Sequence, residues 1–294
     1  MEAIKINNLK KAYAGNTVLD GISTEVAPGQ VVGLLGRNGA GKTTMLSILM
    51  GLEKPDGGQT LVNGIDPETN PAGLRQKAIL VSEECYFYGW MTPTTLAATF
   101  APMYKSWNQE RYDTLLKQFK IDASKKIDTF SKGTKRKLQL AFALAAEPEV
   151  LLLDEPIGGI DVVAREEILG SLIHSLVERG VTIVVSSHEI RDISGVCDRV
   201  LILSNGKFVI DAEKDELLAR VRRLRITLEN NVEILPTHPS ILAAKSYGSE
   251  LEIIVNNYEQ ETIDALLANY KVKHTTTEGV SLHELFSAIT ADED

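Results

Sequence analysis

Residues 30–50 read QVVGLLGRNGAGKTTMLSILM. An apolar run, Gln30 to Leu35, enters a turn with glycine at 36, 39 and 41, and Lys42 to Met50 then carries helical periodicity. The run is short and uninterrupted, as expected of a strand buried on both faces. Gly36 to Thr43, GRNGAGKT, fits the spacing G-x-x-x-x-G-K-[ST] completely, between a strand and a helix as that pattern requires. Glycines let the backbone curl so that its N–H groups point inward, and the helix N-terminus adds a positive dipole end. The turn is therefore read as a phosphate cradle. Lys42 is placed to reach the β- and γ-phosphates of a nucleotide, and Thr43 to offer a hydroxyl to Mg²⁺.

Outward from the cradle, residues 3–9 alternate like a strand, and Thr17 to Val26 reads as a second, ended by Pro28-Gly29. Leu61 to Gly64 and Ala78 to Val81 read as short strands. From about Pro93 to Lys120 the pattern is helical, with Trp107, Tyr112, Leu115, Leu116 and Phe119 as core candidates. Lys135 to Ala146 is a helix closed by Pro148, Val163 to Arg179 an amphipathic helix stopped by Gly180, and Val181 to Ser186 and Val200 to Leu203 are buried strands. Strands alternating with helices indicate an α/β domain with a largely parallel sheet. The character changes near residue 221. Ala212 to Arg223 reads as a basic-ended helix, and residues 224–294 read as a small ββα-type appendage without chemical motifs. The expected division is residues 1–221 and 222–294.

Val150 to Glu155, VLLLDE, is a second buried strand, and it delivers two carboxylates at its C-terminal end, where ligands bind in open α/β sheets. Asp154 is suited to hold Mg²⁺, and Glu155 to orient and polarise an attacking water. About twenty residues upstream, Ser131 to Thr134 (SKGT) stands just before a helix. Beside it, Lys135, Arg136 and Lys137 form a base cluster whose plainest reading is a solvated helix face.

Taken together, these pieces resemble the ABC ATPases, over residues 1 to about 220. SKGT is similar to their signature L-S-G-G-Q: Ser131 and Gly133 match, while Phe130, Lys132 and Thr134 depart from it. Tyr13 stands where an aromatic residue stacks on adenine. PIGGID, Pro156 to Asp161, resembles the D-loop, with Ile157 where threonine is common. His188 in VVSSHE resembles the switch histidine. Glu83 in VSEECYFYGWM stands where glutamine is usual, with Glu84 as the alternative alignment; glutamate adds negative charge and loses the amide donor.

The resemblance implies a P-loop NTPase fold, with a RecA-like core, an antiparallel β subdomain and a helical subdomain, plus the small α+β C-terminal appendage. It implies ATP and Mg²⁺. ATP is expected on Tyr13, Gly36, Arg37, Asn38, Gly39, Ala40, Gly41, Lys42, Thr43 and Thr44, and the metal at Thr43, Glu83 and Asp154. Lys42, Glu155 and His188 are the expected catalytic residues, with Asp161 in the D-loop. Two such subunits, identical or homologous, pair head to tail, so that Ser131 and Gly133 of one face the nucleotide of the other. The segment from Ser131 to Glu155 thus serves two sites. Separate membrane permease subunits are implied, contacted through the aromatic cluster Phe87, Tyr88 and Trp90, whose alternative is ordinary packing. F-S-K-G and the appendage resemble the ABC-2 exporter type.

Composition sets the outer limits. The 294 residues are 44% hydrophobic and 24% charged, with a formal net charge of -9, an ordinary globular balance that argues against a general nucleic-acid coat. Cys85 and Cys197 lack metal or disulfide spacing, which fits a reducing cytosol. The N-terminus lacks the apolar segment of a signal peptide, and no run approaches the roughly 20 apolar residues of a membrane span. A cytoplasmic subunit held at the inner face of the cell membrane by a permease is the expectation. The alternative is a soluble ABC ATPase acting on ribosomes or DNA, against which stand the single ATPase domain and the lack of heptads. A third possibility makes the appendage a regulatory ligand-binding or dimerisation module.

Overall fold

A computed structural model describes residues 2–156, 173, 176–188, 190, 193–232, 234–268 and 270–290. The chain divides into two compact units, Met1–Asp211 and Ala212–Asp294.

In chain order the first unit contains β1 (Ile4–Tyr13), β2 (Asn16–Val26), β3 (Val31–Leu35), α1 (Lys42–Leu49), β4 (Gly57–Val62), α2 (Pro71–Arg75) and β5 (Ala78–Val81). Then come α3 (Pro93–Phe100), α4 (Gln109–Gln118), α5 (Lys132–Ala145), β6 (Val150–Asp154), β7 (Thr182–Ser187), β8 (Arg199–Ser204) and β9 (Lys207–Glu213), whose last two residues lie past the division at Asp211. A three-stranded antiparallel sheet has the order β2-β1-β4. The central sheet has the order β5-β6-β7-β3-β8-β9, with β5, β6, β7, β3 and β8 paired parallel. Asn205 and Gly206, at φ 48° and 73°, make the two-residue turn between β8 and β9, a conformation suited to a tight hairpin.

Every residue of β3, β6 and β7 is buried. Parallel strands covered on both faces need continuous apolar sequence, and VVGLL and VLLL supply it. Register does the rest. Leu34 lies opposite Ser186 and Leu35 opposite Ser187, while Asp154 also lies opposite Ser186. The C-terminal ends of β3, β6 and β7 therefore finish level, and the chemistry-bearing residues come next in the chain, at one edge.

The expected helical stretch from Pro93 to Lys120 is two helices. Thr92 caps α3 with Pro93 in its first turn, and a 3₁₀ turn, Ala101–Met103, ends it at Pro102. Asn108 then starts α4 by accepting from the N–H of Arg111 at 2.9 Å. Both pack around Phe142 of α5, whose ring meets those of Phe87, Phe100, Tyr104, Trp107 and Tyr112 at centroid distances of 5.0–6.5 Å. Tyr112, Leu115, Leu116 and Phe119 are buried as expected, whereas Trp107 is half-buried.

The second unit departs from the expected ββα arrangement. β10 (Arg222–Leu228), β11 (Ile241–Tyr247), β12 (Glu250–Val255) and β13 (Val272–Gly279) form an antiparallel sheet of order β11-β12-β10-β13. Helices Lys214–Arg220, Gln260–Leu267 and Leu282–Ile289 accompany it. Leu224, Ile226, Leu228, Leu251, Ile253, Val255 and Ile263 form its core. The single helix expected over Ala212 to Arg223 is instead the end of β9, a short helix and the start of β10. The expected helix over Val163 to Arg179 falls outside the described residues except at 173 and 176–179.

Candidate active site

The cradle is built by glycine in two ways. Gly39 and Gly41 take φ 85° and 104°, in the left-handed region that other residues rarely adopt. Gly36 lies so close to β8 that an added Cβ would sit 2.6 Å from the carbonyl oxygen of Leu203. α1 begins at Gly41 with no side-chain cap, so the N–H groups of its first turn face the cradle without a competing side-chain acceptor. Lys42, only 6% exposed, curls over the turn and donates to the carbonyls of Gly36 at 2.7 Å and Arg37 at 3.2 Å. Arg37, Asn38, Ala40, Thr43 and Thr44 occupy the rest of the turn and the first turn of α1.

The carboxylates of β6 meet this turn. Thr43 Oγ1 donates to Asp154 Oδ2 at 2.8 Å, and Ser186 Oγ donates to Asp154 Oδ1 at 2.6 Å. Ser186 Oγ also accepts from the Glu155 N–H at 3.0 Å. Ser186 was not a sequence-level candidate, although it is the residue of β7 in register with Asp154. Glu155 takes φ 47°, a strained conformation for a residue with a side chain. Its Oε2 lies 2.9 Å from Nδ1 of His188 and its Oε1 lies 3.4 Å from Lys42 Nζ. Oε1 is buried, lies within ion-pair range of that lysine and makes no hydrogen bond among the described residues. It is an acceptor with capacity to spare.

Other candidates stand further out. Tyr13 closes β1, the residue 42% exposed and the Lys11 ammonium 5.0 Å from its ring centroid. Ser131 is exposed and caps α5, accepting from the Thr134 N–H at 3.2 Å, with Gly133 in the first turn. Glu83 is exposed, and its carboxylate lies 3.7 Å from Lys132 at the head of α5. Tyr88 and Trp90 stack at 5.9 Å and are exposed, whereas Phe87 joins the Phe142 cluster. Asp161 and Ile157 lie outside the described residues.

One expectation is corrected. Arg136 is not part of a solvated face: it is 1% exposed, and its guanidinium donates to the carbonyls of Ser82 and Glu155. A guanidinium can leave water when its donors find acceptors, which carbonyl oxygens supply here.

The sequence profile of the family described as "ABC transporter" matches residues 19–158. The linearmycin resistance ATP-binding protein LnrL of Bacillus subtilis is 34% identical over 223 residues, covering 74% of this chain and 71% of LnrL. The chain belongs to the ABC transporter family. It is an ATP-hydrolysing, ATP-binding subunit of that family. The ABC transporter ATP-binding protein YtrB of the same organism is 29% identical over 285 residues, covering 97% of both chains. That similarity extends through the second unit. Among solved structures, the dimeric structure of MJ0796, a bacterial ABC transporter cassette, aligns with a TM-score of 0.64 at 26% identity. It covers 71% of this chain and 98% of that one. Among the described residues no helix is long and apolar enough to cross a membrane.

Proposed function

We propose that this subunit seats Mg-ATP on residues 36–44, uses Glu155 to orient the attacking water, and drives export through separate permease subunits at the cytoplasmic face. The observation that carries the reading is Glu155. Its carboxylate sits between Lys42 and His188, with Oε1 buried and, among the described residues, without a hydrogen bond. An ionised carboxylate oxygen with unused acceptor capacity is suited to take a hydrogen bond from water and to polarise it. Lys42, beside it, neutralises phosphate charge. His188 holds the other oxygen and so fixes the plane of the carboxylate.

Among the described residues, no three or more His, Cys, Asp or Glu side chains converge as a metal site. Magnesium does not require such a cluster. It takes oxygen ligands, commonly one or two carboxylates with substrate phosphates and waters. The adjacent Thr43 hydroxyl and Asp154 carboxylate, 2.8 Å apart, are a donor set of that kind. When bound, the ion supplies charge neutralisation at the phosphate oxygens. Ser186 keeps the carboxylate aimed by bonding its other oxygen. Glu83, exposed near Lys132, is the further oxygen donor expected from the resemblance.

The dimer is supported by the likeness to the MJ0796 cassette, whose solved form is dimeric. In the proposed head-to-tail pair, the exposed Ser131 and the half-buried Gly133 contact the nucleotide of the other copy, Asp161 lies in the D-loop, and Tyr13 stacks on the adenine. Export is supported by LnrL, a resistance ATP-binding protein. Exposed Tyr88 and Trp90 are the proposed contact with the permease. Residues from 222 onward are proposed as an accessory domain.

Glu155→Gln is the test. The amide preserves shape and removes the base, so turnover is expected to fall about 10²- to 10⁴-fold while ATP binding and dimer formation persist. Normal steady-state hydrolysis by that variant excludes Glu155 from the water-activating role.

A further inference from the structure

Arg136 lies one helical turn beyond the Ser131 cap and is among the largest fully buried side chains among the described residues. Its two terminal nitrogens reach in different directions. Nη1 donates to the carbonyl of Ser82, which opens the loop carrying Glu83 and the exposed aromatic residues. Nη2 donates at 3.0 Å to the carbonyl of Glu155. One turn further along α5, Gln139 donates to the carbonyl of Glu84 at 3.0 Å. Gln139 also donates to the carbonyl of Ser82 at 3.5 Å, so the head of α5 is clamped to the Ser82–Glu84 backbone three times and to Glu155 once.

Glu155 needs such a clamp. Its φ of 47° is a conformation that a side-chain-bearing residue holds only when its surroundings enforce it. Ser186 Oγ takes its N–H and Arg136 takes its C=O, so both neighbouring peptide planes are fixed. Burial lowers the pKa of Arg136, and the negative charges of Glu83, Asp154 and Glu155 favour its charged form. Those same three carboxylates are the ones assigned to metal and water.

We propose that Arg136 is a positioning residue: it sets the backbone of Glu155, and thereby the aim of its carboxylate, according to the position of the Ser82–Trp90 loop. The planar, forked guanidinium suits this role because it bridges two carbonyls at a fixed separation, whereas an ammonium is a point donor without that fork. Movement of the loop by a bound partner is then transmitted to Glu155 through one rigid side chain. The inference rests on Glu155 being the water-orienting residue.

The test is a kinetic cycle on the full chain with Arg136→Lys, Arg136→Gln, Glu155→Gln and both doubles with Glu155→Gln. Each Arg136 variant is expected to lower kcat about tenfold or more while KM for ATP stays within about threefold, since the phosphate cradle does not involve Arg136. In the Glu155→Gln background neither substitution is expected to lower the residual turnover further, because a residue acting through the carboxylate has nothing left to aim. Unchanged kcat in Arg136→Lys and Arg136→Gln overturns the proposal. So does a fall in apparent kcat that disappears when the rate is expressed per folded molecule, the folded fraction being read from the melting curve, or an additive loss in the doubles; each marks a structural strut. If Glu155→Gln alone turns over normally, the reading of Glu155 fails first and is seen to do so separately.

Discussion

Thr43 and Asp154 stand 111 positions apart, yet the hydroxyl of the first donates to the carboxylate of the second at 2.8 Å. The bond joins the first turn of α1 to the end of β6, and Ser186 completes the set from β7. Asp154→Asn keeps the shape and loses the charge. One hydroxyl must then turn to accept from the new amide, at a cost of about 1 kcal/mol in stability. Magnesium-dependent turnover is expected to disappear, while the melting temperature falls by only a few degrees. An ATPase assay against magnesium concentration, beside a melting curve, separates the two effects.

Gly41→Ala attacks the cradle from the backbone side. The φ of 104° is strained for alanine, and the new Cβ would lie 2.9 Å from Leu19 Cδ2. Destabilisation of about 1–3 kcal/mol is expected from the strain, with loss of ATP binding, because the N–H groups of the turn no longer converge. Equilibrium binding of a fluorescent ATP analogue reads it directly.

Tyr13→Ala addresses the base rather than the phosphates. The ring is partly exposed beside Lys11, so its removal leaves the fold intact. Stacking of a base on an aromatic ring contributes about 1–3 kcal/mol. A rise of about tenfold in Kd for ATP is expected, with inorganic triphosphate binding unaltered. Tyr13→Trp is expected to restore affinity.

In the second unit, Glu284 carries a pH signature. Its carboxylate accepts from the Ser281 hydroxyl at 2.7 Å, the Ser281 N–H at 2.9 Å and Arg223 at 3.0 Å. The Ser281 hydroxyl and N–H, with Arg223 adding to them, hold its pKa at about 2, below the usual 4.5. A depressed carboxylate stabilises fully above its unfolded value. The stability of this helix end is therefore expected to be complete above about 4.5 and to be lost as pH falls toward about 2. Hydrogen exchange of the Leu282–Ile289 amides against pH measures it, and Glu284→Gln should flatten the acid limb. Ser281→Ala removes the cap, at about 1 kcal/mol.

The features that the sequence displayed and those it concealed divide along physical lines. β3 and β6 were legible because strands covered on both faces must be continuously apolar, and the residues just beyond them must be the ones that meet a ligand. Lys42, Thr43, Asp154 and Glu155 announce themselves that way. Arg136 did not, since a basic residue beside Lys135 and Lys137 ordinarily faces water, and only the fold reveals two carbonyls awaiting it. β13 was hidden for the opposite reason. All eight of its residues are exposed, so the sequence of a strand packed on neither face carries no apolar alternation. β11, with Ala243, Ala244, Lys245 and Ser246, is nearly as featureless.

The position of β3 bears on the birth of the protein. Its neighbours in the sheet are β7 and β8, which end at Ser187 and Ser204. As the chain leaves the ribosome, the nucleotide turn emerges early and has no sheet to hang from until some 170 further residues are made, roughly ten to thirty seconds later. Nascent chains halted before Thr182 should ignore ATP. Those extended past Ser204 should be the first that ATP shields from a protease.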